Sequence, residues 1–213
     1  MTDDDPYRLM RFILELRQAG ITDARALSAL ERTPRSHYAP EAMQGLALDD
    51  INLPLPHAQA MTRPSVIARV LAALAPRNDE VVLEIGTGSG YQAGALATLA
   101  RKVVTVDRWR DLLIDARGRL GRARLLNVFA HVGDGHEGWS DDGPYDRIVL
   151  NCAVAEIPPP LFDQLKPGGV IVAPIGAGDE QRLMRFRNDA EEDLGPVRFA
   201  PLLRGLGEEP ETA

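Results

Sequence analysis

Residues 80–92, EVVLEIGTGSGYQ, set an acid, Glu84, at the end of an apolar run and follow it with glycines at 86, 88 and 90. A backbone with almost no side chains lets a ligand lie directly on the chain, as at the first strand-to-helix turn of nucleotide-binding sheets. The spacing here is G-x-G-x-G, which departs from the G-x-G-x-x-G of a dinucleotide site, and no G-x-x-x-x-G-K-[ST] occurs. Two more acids follow comparable apolar runs. Asp107 ends KVVTVD, and Asp134 stands between Gly133 and Gly135 just after NVFAHV. Three carboxylates facing one crevice repel phosphate and suit a ligand with an ammonium, a ribose diol and an adenine amino group. S-adenosylmethionine has all three without a phosphate, and its sulfonium tolerates an acidic wall. The residues expected to touch it are Glu84, Gly86, Thr87, Gly88 and Gly90 in the first turn and Asp107 and Arg108 in the second. Gly133, Asp134 and Gly135 complete the set in the third.

The elements that would position these groups alternate. Strands are expected at 80–85, 102–107, 127–133, 145–151 and 169–174, with helices at 89–100, 109–122 and 158–166 between them. Continuous Val/Ile/Leu runs are the pattern of strands buried on both faces, and strand-helix-strand alternation demands parallel crossovers. The fold class is therefore α/β, a doubly wound Rossmann-like sheet. Segments 181–188 and 195–202 lack an intervening helix, so they are expected as a C-terminal antiparallel hairpin joined through DAEEDLG. Ahead of the sheet, PYRLMRFILELRQAG spaces Leu9, Phe12, Ile13 and Leu16 as a helix face, DARALSALERT stops before Pro34, and a further helix starts at Pro64. The expectation is one domain: an N-terminal helical cap and loop over 6–79, an α/β core over 80–206 and an acidic tail from 207.

Bulk composition excludes several classes. No apolar run is long enough for a membrane helix, and MTDDDP has neither the basic nor the apolar part of a signal peptide, so the cytoplasm is the expected location. Of the net charge of −7, Asp3, Asp4, Asp5, Glu208, Glu209 and Glu211 contribute −6, which leaves −1 for the body. A nucleic-acid binder needs a basic face, and none with interleaved aromatics occurs. The body offers no obvious partner surface, so a monomer is expected, with unstructured charged ends. The lone Cys152 and the histidines at 37, 57, 131 and 136 share no metal-ligand spacing, so no metal is expected. Trp109, two residues after Asp107, could flank an adenine or pack a helix start.

Five stretches then carry a family resemblance in the right order: GITDARALSALERTPRSHYAP, VLEIGTGSGYQ, GDGHEGW, YDRIVLNCAVAEIPPPLFDQLKPGG and VRFAPLLRG. Together they resemble protein-L-isoaspartate O-methyltransferases over about residues 8–206. The resemblance implies a class I S-adenosylmethionine-dependent methyltransferase that esterifies the α-carboxylate of L-isoaspartyl residues in damaged proteins. In this family a loop G-Q-T-I-S-x-P supplies a hydroxyl to the acceptor, and the matching stretch is Ala58, Gln59, Ala60, Met61, Thr62, Arg63, Pro64. Thr62 falls on the family's active serine, while Ala58 and Ala60 replace a glycine and a threonine. Asn151-Cys152-Ala153 is a second departure, where the family has small residues with a threonine. Ala58, Gln59, Ala60 and Met61 are expected to line the substrate side, with His57 at its entrance. The altered loop leaves open a different carboxylate substrate, or a silent cofactor-binding relative.

Overall fold

A computed structural model of the chain describes residues 6–188 and 190–207; the acidic ends expected at 1–5 and 208–213 lie outside the described residues. The chain begins with α1 (Pro6–Gln18) and α2 (Ala24–Glu31). Helix α1 buries Phe12 and Leu16, the face that its spacing predicted. Helix α2 starts where Asp23 accepts a hydrogen bond from the amide of Ala26 at 2.7 Å, which satisfies one of the free amides of the first turn. Short strands β1 (Leu53–Pro54) and β2 (Ala60–Met61) pair antiparallel and lead into α3 (Pro64–Leu74). Proline at its first position suits α3, because that amide has no partner within the helix.

The sheet comprises β3 (Val81–Ile85), β4 (Lys102–Asp107), β5 (Val128–Val132), β6 (Tyr145–Leu150), β7 (Leu165–Ile175), β8 (Arg182–Arg187) and β9 (Ala190–Pro196). Its order is β5-β4-β3-β6-β7-β8-β9. The pairs up to β6–β7 are parallel, and β7–β8 and β8–β9 are antiparallel. Helices α4 (Tyr91–Ala97), α5 (Arg110–Arg122) and α6 (Pro159–Asp163) make the crossovers. The order reverses beside β3, and in such sheets the crevice at that reversal takes the ligand.

Alternation divides β3 between two cores. Leu83 and Ile85 join Val104, Ile148 and Ile171 on one face. Val82 joins Val103, Val149 and the buried residues of α2, α3 and α4 on the other. The N-terminal helices therefore share a core with the sheet.

The hairpin differs from expectation. Its second strand is 190–196, so EED, expected in the connection, is paired: Arg185 faces Glu192 and binds it at 3.1 Å, and Arg182 binds Asp193 at 2.8 Å. An outermost strand tolerates such charges because its side chains stay in water. Residues 197–202 instead run back across the sheet end, where Ala153 N donates to Ala200 O and Leu202 N to Ala153 O, both at 2.8 Å. Helix α6 is shorter than expected because Leu165 already enters β7.

Candidate active site

The glycine turn after β3 supplies the floor of a cavity. Gly86 has φ +92° and Gly90 φ +84°, a region that residues with a Cβ rarely adopt. Gly86 also lies so close to Asn151 that a Cβ there would stand 3.3 Å from the Asn151 Cβ. Asp107, at the end of β4, is nearly buried; its Oδ2 accepts from Gly88 N at 2.8 Å and its Oδ1 from Trp109 N at 3.0 Å. Burial raises its pKa, and the amides of Trp109 and Gly88 oppose that rise.

Gly86, Thr87, Gly88, Asp107, Arg108 and Gly135 wall the cavity, together with Trp109, Gln92, Asn151 and Leu202. Gly90 does not reach it. It caps α4 and packs against Ala116. Arg108 turns its charge away, donating to Leu206 O at 2.9 Å and lying over the Trp109 ring. The Oε1 of buried Gln92 has no hydrogen-bond partner within the protein. A wall of carboxylate and carbonyl acceptors, a diverted arginine and an unsatisfied buried acceptor fits a cationic nucleoside better than a phosphate.

Two of the expected acids do other work. Glu84 lies within β3, on the Val82 face, fully buried and outside the cavity wall. Its Oε2 accepts from Thr105 Oγ1 at 2.6 Å and its Oε1 from Asn151 Nδ2 at 3.0 Å. Burial pushes its pKa up to about 8, although the bonds from Thr105, Asn151 and Gln92 oppose the rise. Burial thus favours its uncharged form, and it braces the site from beneath without reaching the cavity. Asp134 also stands outside the wall, accepting from His136 N at 2.9 Å and Gly205 N at 2.6 Å. It ties the third turn to the C-terminal segment. Gly133 packs beside Trp139.

A broad cleft of about 1010 Å³ adjoins the cavity. Gln59, Ala60, Thr62, Asn151, Pro201 and Leu202 wall both spaces. Ala58 lines the cleft alone. Met61 is buried under the loop, and His57 points elsewhere, so neither lines the cleft as expected. Pro158, Pro159, Pro160 and Phe199 give the cleft an apolar side, while Arg198, Arg204, His136 and Glu137 give it a polar one.

The position of Thr62 is fixed by segments that sequence reasoning did not connect. Ser65 N and Oγ donate to Asp50 at 2.8 and 2.7 Å, and Arg63 N donates to Asn52 at 2.9 Å, so the start of α3 is anchored to the preceding loop. Arg35 is buried below them. Its guanidinium donates to the carbonyls of Ala47 (3.0 Å), Asp49 (3.3 Å), Ile51 (2.9 Å), Met61 (3.3 Å) and Thr62 (3.2 Å). A planar fork of donors can gather several carbonyls at once. Nothing in the local sequence signals this, because the carbonyls lie up to 27 residues away.

A seven-stranded sheet in this order, with a glycine-turn cavity beside Asp107 at its reversal point, defines the fold of a class I S-adenosylmethionine-dependent methyltransferase. The model of the Protein-L-isoaspartate(D-aspartate) O-methyltransferase family matches residues 8–206, and the chain belongs to that family. A protein-L-isoaspartate O-methyltransferase of Azorhizobium caulinodans is 47% identical, covering 97% of this chain and 98% of its own. One of Paracoccus denitrificans is 43% identical over 96% and 99%. A solved protein-L-isoaspartate O-methyltransferase superposes with a TM-score of 0.79 at 26% identity, over 93% of this chain and 67% of the other. A Plasmodium falciparum structure in complex with S-adenosyl-L-homocysteine has the same fold, with a TM-score of 0.77 at 20% identity, over 91% and 97%. The protein is thus an enzyme, and its methyl donor is S-adenosylmethionine.

Proposed function

We propose that the protein methylates the α-carboxylate of L-isoaspartyl residues in damaged proteins, as a single-domain cytoplasmic monomer with no nucleic-acid partner, and that Thr62 holds the acceptor. The observation that carries the role of Thr62 is its place in the wall shared by cavity and cleft. A group there can touch an acceptor in the cleft at the point where it meets the donor. In this reading Asp107, Gln92 and the glycine turn hold the cofactor, and the cleft takes the peptide. The monomer and nucleic-acid readings rest on the nearly neutral body and the lack of a basic face in the sequence, and the location reading on the lack of an apolar run long enough for a membrane helix.

S-adenosylmethionine supplies a methyl group bound to a positively charged sulfur. The acceptor carboxylate, with a pKa near about 4, is already an anion at neutral pH, so no side chain has to remove a proton. That accounts for a shared wall without histidine. The residues present have to orient one carboxylate oxygen and strip water from it, and orientation of this kind is worth ~7–11 kcal/mol in favourable cases. Thr62 can donate a hydrogen bond to the carboxylate while the proline wall of the cleft excludes water. Cys152, also in the cavity wall, stays a thiol because burial raises its pKa.

The test is labelled methyl transfer to an isoaspartyl peptide beside its aspartyl twin. Thr62→Val should lower kcat about 10- to 100-fold, the loss of one hydrogen bond to a charged group, with the cofactor Kd near wild type. Thr62→Ser should stay active. Full activity in Thr62→Val would remove the hydroxyl role. A wild type that binds S-adenosylmethionine yet ignores the isoaspartyl peptide would mark Ala58 and Ala60 as signs of another acceptor.

A further inference from the structure

His57 stands at the outer end of the acceptor loop, and the large cleft is lined by its neighbours Ala58, Gln59, Ala60 and Thr62 but not by His57 itself. Its imidazole crosses to the other side of the cofactor cavity. There it stacks on Trp109, with ring centroids 3.8 Å apart and planes 1° from parallel. Its Nε2 also lies 2.7 Å from Asp111 Oδ2 in the first turn of α5. Trp109 walls the cavity and follows Asp107, whose carboxylate receives the Trp109 amide. The same indole meets the C-terminal segment at Gly207, where there is no room for a Cβ.

The backbone beneath His57 is held away from its relaxed state. His57 has φ +57° and Ala58 φ +53°, consecutive left-handed residues that are not glycine. Such a conformation persists only when contacts on either side hold it. On the inner side, Gln59 Nε2 donates to His57 O at 2.9 Å and Leu55 N to Gln59 O at 2.9 Å. On the outer side the contacts are the indole and Asp111. The cavity that Trp109 walls together with Gln59, Ala60 and Thr62 of the loop measures about 100 Å³, whereas small-molecule pockets start at roughly 300 Å³. Admission of a nucleoside therefore requires some part of the roof to move. Asp111 is half exposed, so water can replace its bond to His57, and opening the bridge leaves no buried charge behind.

We propose that His57 is the latch of the cofactor cavity: its stack on Trp109 and its bond to Asp111 fasten the acceptor loop across the entrance and set how long a bound nucleoside stays. This rests on the assignment of the cavity to the cofactor. The latch couples loop closure to cofactor retention.

The experiment measures the dissociation rate of labelled S-adenosylhomocysteine from the full chain, chased with unlabelled ligand. Amide hydrogen exchange at residues 58–61 is followed in parallel. His57→Ala, which removes both contacts, should speed dissociation about tenfold and raise exchange in the loop, on the scale of one lost stack and one exposed bond. His57→Phe keeps the stack and should recover part of the slow release, which a mere loss of folding would not do. Asp107→Ala serves as the reference for the cavity itself. Weakened binding in Asp107→Ala together with wild-type release and exchange in His57→Ala overturns the latch alone. Unchanged affinity in Asp107→Ala overturns the cofactor assignment beneath it.

Discussion

The glycine turn at 86–90 and the acceptor loop at 57–62 both need left-handed backbone, and they obtain it differently. The turn places it at Gly86, Gly88 and Gly90, where it carries no side-chain penalty. The loop places it at His57 and Ala58. The turn is also an extension of the sheet, with Gly86 N bonded to Val106 O at 2.8 Å and Asn151 N to Ile85 O at 2.8 Å. The loop hangs on side chains sent from elsewhere, chiefly Arg35 from below and Trp109 and Asp111 from across the cavity. The first half of the site is thus fixed by pairing within the large sheet, whereas the second adds to its short β1–β2 pairing contacts that single substitutions can remove.

The largest effect expected from that contrast is at Arg35. Arg35→Met should destabilise the protein by ~3 kcal/mol or more, because it strips charged donors from several buried carbonyls at once. Denaturant unfolding measures it, and a loss under about 1 kcal/mol would mean that the loop does not depend on the guanidinium.

Glu84 tests the sheet-borne half. Its pKa is raised from 4.5 to about 8 in the folded protein, which thus holds the proton more tightly than the unfolded chain. The wild type therefore has this contribution in full below about pH 4.5 and loses it as pH climbs toward 8. Glu84→Gln does not titrate. Its stability relative to wild type should rise across that window by at most roughly 1.4 kcal/mol per pH unit. Parallel stability-versus-pH curves for the two proteins would show that Glu84 is ionised throughout.

The smallest effect sharpens the contrast directly. Ala58→Gly should stabilise the protein by up to about 1 kcal/mol, since a glycine at this φ relieves the strain on Cβ. A lower melting temperature in the variant would show that Ala58 is not strained.

The sheet is legible because VVLEI, KVVTVD and GVIVAP are short β-branched apolar runs that alternate with helical stretches, the pattern of parallel strands buried on both faces. The hairpin register was not, since Glu191, Glu192 and Asp193 look like a turn unless their strand is known to be outermost. Parity separates two of the expected acids: Glu84 shares the face of Val82 and lies outside the cavity wall, whereas Asp107 ends its strand and reaches the crevice. Thr62 is singled out by family resemblance and not by local pattern. Arg35 and His57 carry no local signal, because the carbonyls and rings that give them meaning come from distant segments.

The segment that returns across the sheet end has a consequence for how the molecule is made. Leu202 and Leu203 wall the cofactor cavity, Gly205 N is bonded to Asp134, and Gly207 N to Arg108 O at 3.0 Å. At a synthesis rate of ~5–20 residues per second, this roof follows the glycine turn out of the ribosome by on the order of ten seconds. A nascent chain that has already paired β3 with β4 therefore still has an open-topped basin in place of a binding site. Capture of the nucleoside waits for this segment, and binding then favours the form in which the roof is in place.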